Sequence, residues 1–159
     1  MASAHPRGQV TPIPVASAGL TVGGSYTSGD VLGGQMQFRI GDGFGAAYGE
    51  ITQVVVIDKA AVLGACELWL FSSAVTPASD NAALSFSDTD MQSLVAILPC
   101  STVYTTALNK VVVCDPAEGR PVFSGQNGIL YGTLVTRTGN TGFGAVGDVT
   151  VVLFYEAEC

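Results

Sequence analysis

"GDVLGGQMQFRIGDGFGAAYGEI", residues 29–51, is the stretch that decides the fold. Its centre, Gln35-Met36-Gln37-Phe38-Arg39-Ile40, alternates polar and apolar side chains without a break. That is the two-residue period of a strand with one buried face, and it assigns Met36, Phe38 and Ile40 to a core. Both flanks are rich in glycine, which weakens a strand interior. Corners between two packed sheets need sharp, often positive-φ backbone, and glycines at such corners reconcile the two signals.

The same period continues outward. Ile51–Asp58 (ITQVVVID) is a β-branched run without alternation, the pattern of a strand covered on both faces. Cys66–Phe71 puts Cys66, Leu68 and Leu70 on one side. Leu94–Leu98 and Tyr104–Cys114 follow as strands, then Ile129–Arg137, and Asp148–Glu156 comes last. Gln126-Asn127-Gly128 predicts a hairpin, because Asn-Gly accepts the positive φ angles of a tight turn. One stretch breaks the pattern: in "SFSDTDMQSLVAIL" Ser87 is placed to cap a short helix whose third residue is Asp90. Asp88 and Asp90 then stand at a helix's positive end, where carboxylates are favoured. A D-x-D calcium pair is the rival, but the further oxygen ligands of a calcium loop are missing.

About eight strands, one short helix and no βαβ unit predict an all-β fold, an antiparallel β-sandwich that is jelly-roll-like. Residues 20–159 form this single domain. Residues 1–19 form an extended N-terminal arm, since Pro6, Pro12 and Pro14 oppose both helix and central-strand pairing. Val10, Ile13 and Val15 are apolar, so the arm is expected to lie against something: a neighbouring subunit, a larger surface, or its own domain. Pro12, Ile13, Pro14 and Val15 are therefore candidate partner contacts.

Composition removes several function classes. The net charge is −7, and the six Lys and Arg residues are scattered singly, whereas a nucleic-acid binder needs clustered cations. No run reaches the length of a membrane helix, and the start has no signal-peptide block, so the chain is expected to be made and kept in a cytoplasm. Cys66, Cys100, Cys114 and Cys159 form no C-x-x-C pair, and the only histidine, His5, lies in the arm. No metal, no cofactor and no small-molecule substrate are expected. The cysteines are expected to be reduced and buried, with a Cys100–Cys114 bridge as the alternative.

Gly142-Phe143-Gly144-Ala145-Val146-Gly147 matches G-x-G-x-x-G, but a strand rather than a helix follows it, so a loop is expected and not a dinucleotide site. This loop and Gly43-Phe44-Gly45 each raise one phenylalanine on a glycine-rich tip. Phe44 and Phe143 are either partner contacts or caps on the core. A histidine base on a folded scaffold, a nucleophile elbow and a P-loop are all lacking, so no catalytic residue is assigned and the chain is not expected to be an enzyme.

"SYTSGDVLGG", "ITQVVVIDKAA", "LWLFSSAVTPASDNAALSFSDTDMQSLVAIL" and "YGTLVTRTGNTGFGAVGDVTVVL" resemble, in this order, a family of small tailed-bacteriophage structural proteins that includes capsid decoration, or cement, proteins. The resemblance covers roughly residues 25–154 and rests on Gly29–Gly34, on Ser79–Ala83 with Asp88 and Asp90, and on Tyr131–Arg137. It implies a compact β-domain, commonly a homotrimer, bound to the major capsid protein on the outer face of an icosahedral head. The implied location is the virion head surface, after assembly in the host cytoplasm. A receptor- or glycan-binding module of a phage tail or fibre is the alternative. It is expected to present an exposed aromatic platform beside polar groups.

Overall fold

The alternating core of the opening stretch is a strand, and two of its glycines lie inside that strand. β3 spans Val31–Arg39, with Met36 and Phe38 buried and Gln37 and Arg39 exposed. Ile40 continues the buried series. The pairing of β3 with β9 (Ile129–Thr136) shifts register between Leu32 and Gln35, where Gly33 and Gly34 have φ of +77° and +98°. This is a β-bulge, and the positive φ is what requires glycine there. Gly33 also lets Leu20 close onto the backbone: a Cβ at residue 33 would stand 2.9 Å from Leu20 Cα. The glycines sit in a bulge within β3, which stays paired with β9 on both sides of it, and not at a corner between two sheets.

This computed structural model describes residues 13–14, 20, 22–40, 47–114, 116, 122–125, 128–144 and 147–158. One antiparallel sheet contains β3, β9, β4 (Ala47–Asp58), β5 (Cys66–Phe71), β6 (Leu94–Thr105), β7 (Lys110–Cys114) and β11 (Val149–Glu158). Short β1 (Ile13–Pro14) completes the order β1-β11-β4-β7-β6-β5-β9-β3, and β8 (Val122–Gly125) pairs with β4 beside it. A second, two-stranded sheet joins β2 (Gly24–Tyr26) to β10 (Asn140–Phe143). The fold is all-β and antiparallel, as expected, and the short strands carry the number past eight.

The large sheet folds over on itself. Val54 and Val56 of β4 and Val151 and Leu153 of β11 belong to the same buried cluster as Leu68 and Leu70 of β5, Leu134 of β9 and Phe38 of β3. Inward faces of the two halves thus share one core, which is a sandwich. β6 is the strand that joins the halves: Leu94–Cys100 pairs with β5, and Cys100–Thr105 pairs with β7. Cys100 is paired on both sides.

The single helix among the described residues, α1, spans Asp88–Met91 and is capped as its sequence predicts. Ser87 Oγ accepts from Asp90 N–H at 3.1 Å, and Asp90 Oδ2 accepts from Ser87 N–H at 3.2 Å. Both acidic residues take the structural role, Asp90 in the cap and Asp88 in the first turn.

Three expectations are corrected. Tyr104–Cys114 is not one strand but the end of β6, a turn and β7. Thr106 makes the turn, its Oγ1 accepting from Leu108 N–H at 3.2 Å and Asn109 N–H at 3.1 Å. The hairpin expected at Gln126-Asn127-Gly128 is not matched by the strand pairing: Gly128 has the positive φ of +66°, yet β8 pairs with β4 while β9 pairs with β3 and β5. Finally, the cysteines are not all reduced. The turn at 106–109 places Cys100 opposite Cys114, and the two are joined by a disulfide. Cys66 is free and buried.

Candidate interaction surface

β4 was expected to be covered on both faces, and among the described residues only one face is. Val54 and Val56 are fully buried, while Val55 and Ile57, which alternate with them, are half-buried. The register extends that outer face across four strands. Val152 of β11, Val55 of β4, Val113 of β7 and Thr102 of β6 form one row. Thr150, Ile57, Val111 and Tyr104 form the next. No side chain in either row is charged. Val111, Val113 and Val152 are half-buried like their β4 neighbours, and beyond the rows Leu108 at the hairpin tip is 83% exposed. The result is a stiff, β-branched, uncharged surface on a chain whose net charge is −7.

One end of this face is a groove of about 470 Å³. Phe154, Val113 and Pro116 supply its apolar wall, Thr52, Gln53 and Thr102 its polar groups, and Cys114 also lines it. Tyr104, 59% exposed, stands at its side.

The predicted contact residues do not gather here as a set. Ile13 and Pro14 form β1 and pair with Leu153 and Val152 on β11, at the edge of the strand that carries the outer face. Pro14 has no N–H to donate, and an edge strand is where a sheet tolerates that. Pro12, Val15 and Phe44 lie outside the described residues. Phe143 takes the core alternative. It is 3% exposed and meets Tyr26 edge-on, with ring centroids 5.6 Å apart. Trp69 is half-buried beneath Phe86, 5.8 Å between centroids, so the connection 72–93 covers the outer side of β5. The residues Val55, Ile57, Val111 and Val113 were legible as strand but not as surface. Their signal was the unalternating run itself.

Away from the face, polar side chains hold loops together. Asp80 Oδ1 accepts from Gly33 N–H at 2.7 Å and from the Tyr26 hydroxyl at 2.9 Å. Val31 N–H donates to Ala82 O at 2.9 Å, and Asn81 N–H to Val31 O at 2.9 Å. The 29–34 and 79–83 segments therefore form one joint. Asp58, fully buried, accepts from Ala60, Val62 and Leu63 N–H at 2.8, 2.6 and 2.6 Å and so shapes the turn after β4. Arg137 donates to Glu67, whose carboxylate also accepts from Trp69 Nε1 at 3.2 Å. The guanidinium holds the Glu67 carboxyl below the usual carboxylate range against the opposing effect of partial burial. Among the described residues, no three His, Cys, Asp or Glu side chains converge as metal ligands would, and no helix is long and apolar enough to cross a membrane.

Compared with models of known protein families, with curated proteins and with solved structures, the chain gives no match in any of the three.

Proposed function

We propose that this chain is a virion structural protein that binds the outer surface of an icosahedral phage head and stabilises it by bridging capsid subunits. The observation that carries the proposal is the half-covered outer face of β11, β4, β7 and β6, mostly apolar and uncharged, with β1 of the arm at its edge. Such a face docks on another protein surface at low entropic cost, because β-branched side chains have little rotamer freedom to lose. The partner is an apolar patch of the major capsid protein, and the decorating unit is a homotrimer. Binding only to the assembled shell favours that state by mass action, and many copies on one lattice add avidity. The Cys100–Cys114 bridge suits a protein that leaves the cytoplasm on a particle, since disulfides persist on virion surfaces.

The sequence resemblance supports the same lineage. Its distinctive pieces, Gly29–Gly34 and Ser79–Ala83, meet in the joint held by Asp80. They speak for a shared scaffold, and the outer face carries the role.

Cryo-electron microscopy of particles carrying the protein tests this. Hundreds of copies on the head, with the Val55–Val113 face toward the shell, are expected. A dozen copies or fewer at the tail would overturn it and favour a receptor- or glycan-binding module. One feature favours that second reading: exposed Tyr104 stands beside Thr52, Gln53 and Thr102 in the groove. Tyr104→Ala should then abolish binding to host cells or isolated glycans and leave incorporation into the particle unchanged.

A further inference from the structure

Three of the cysteines stand in one row. Cys66 on β5 is the register partner of Cys100 on β6, and Cys100 is in turn the partner of Cys114 on β7. All three are buried, at 2%, 1% and 0% exposure. Directly opposed residues of antiparallel strands hold their Cβ atoms about 4.5–5.5 Å apart. The free thiol therefore flanks the bridged Cys100 on the side away from Cys114. That is the side from which a thiolate displaces the far sulfur of a disulfide.

We propose that the bridge can move along this row: the Cys66 thiolate attacks Cys100 Sγ, a Cys66–Cys100 bond forms, the Cys100–Cys114 bond breaks, and Cys114 leaves as the thiolate. The pair of oxidised sulfurs is conserved, and one proton passes from Cys66 to Cys114, so no outside oxidant takes part. Because β6 changes partners at Cys100, the two bridges tie different halves of the sandwich. Cys100–Cys114 clamps β6 to the half that carries the outer face. Cys66–Cys100 clamps it to the β5–β9–β3 half and releases β7, whose Cys114 lines the groove.

Burial pushes the Cys66 thiol up to about 12, with the Glu67 carboxylate adding in the same direction. Glu67 is the next residue on β5, on its other face, and is paired with Arg137. Thr136 on β9 and Cys100 on β6, the register partners of Cys66, carry no charge. The thiolate is thus scarce near neutral pH, and exchange is expected to quicken about tenfold per pH unit below that value.

The test uses the full chain carrying Cys159→Ser, oxidised and held without air at pH 7 to 10. Samples are quenched with acid and N-ethylmaleimide, then mapped by non-reducing digestion and mass spectrometry. Both Cys100–Cys114 and Cys66–Cys100 linkages are expected, with the approach to their final ratio faster at each higher pH. Adding Cys66→Ser should leave Cys100–Cys114 alone. A single Cys100–Cys114 linkage after days at pH 10 would overturn the proposal. As an independent check, Cys114→Ala in the same background, treated with diamide, should form Cys66–Cys100. Two intact thiols after that treatment would also overturn it.

Discussion

The Tyr26 hydroxyl donates to Asp80 Oδ1 across 2.9 Å, and the same oxygen accepts from Gly33 N–H at 2.7 Å. One carboxylate thereby ties β2, the bulge of β3 and the 79–83 loop. Hydrogen bonds to a charged group contribute about 1.5–3 kcal/mol each. Asp80→Ala should lower the unfolding free energy by about 2–4 kcal/mol, because it strands the Gly33 N–H and the Tyr26 hydroxyl together. Tyr26→Phe should cost about 1–2 kcal/mol. Urea unfolding of both single variants and the double variant checks this, and strictly additive losses would show that the two residues do not act through one bond.

Tyr26 also gives a pH signature. Burial, reinforced by Asp80, raises its phenol from 10.0 to about 12, although the Gly23 N–H donated to its oxygen works the other way. The neutral phenol is the form the fold favours. Its contribution is therefore complete below pH 10, where the unfolded chain also keeps its proton, and is lost as pH rises to about 12. Cys66 and Tyr155 are raised in the same direction and remain in the variant. The difference in urea midpoint between the native chain and Tyr26→Phe should be flat up to pH 10 and shrink above it. A difference independent of pH would be the contrary result.

Gly33 is the residue on which the β3 bulge depends. An alanine there would have to keep φ near +77° and would place Cβ 2.9 Å from the Leu20 backbone. Neither can relax without moving the bulge or residue 20, which is buried. Gly33→Ala should destabilise by about 2–4 kcal/mol, through backbone strain and overpacking together. Gly34→Ala has the same sign of φ, +98°, and nothing within 4 Å, so it should cost clearly less. Equal thermal shifts for the two would remove the role given to Leu20.

Period and capping were legible because they are local. Met36, Phe38 and Ile40 announce their face by spacing alone, and Ser87 with Asp90 announces a cap three residues long. What stayed hidden depends on partners far along the chain. Asp80 is 47 residues from Gly33, and nothing in Ser79–Ala83 states which N–H groups it will meet. The Cys100–Cys114 bridge follows from a turn at Thr106, which a run of threonines and valines from 102 to 113 conceals. Asn127-Gly128 shows the converse. Local turn chemistry placed a positive φ correctly at Gly128, and the choice of β4 as the partner of β8 was made by tertiary pairing.

The outer face can be separated from stability. Val55 and Val113 are opposed on β4 and β7 and half-buried, so Val113→Lys should destabilise by about 1 kcal/mol or less. A lysine in the centre of a docking face leaves a charge without water or a partner, so head binding should fall at least tenfold. Sedimentation with purified heads measures it. Full binding by Val113→Lys would exclude this face.

The arm divides at β1. Its two register pairs, Ile13 with Leu153 and Pro14 with Val152, cover the edge of β11, so deleting residues 1–16 removes them while deleting residues 1–12 does not. Two backbone pairings are worth about 1–2 kcal/mol, and an uncovered edge strand invites association. The longer deletion should melt a few degrees lower and aggregate more readily. The shorter one should melt as the full chain does, since β1 is retained. If residues 1–12 contribute to docking, the shorter deletion should nonetheless occupy heads poorly, because Val10 and its neighbours would be missing from the contact. Melting and occupancy therefore respond to different parts of one segment. A shorter deletion that fills heads completely would confine the arm to covering β11 and leave docking to the sheet face alone.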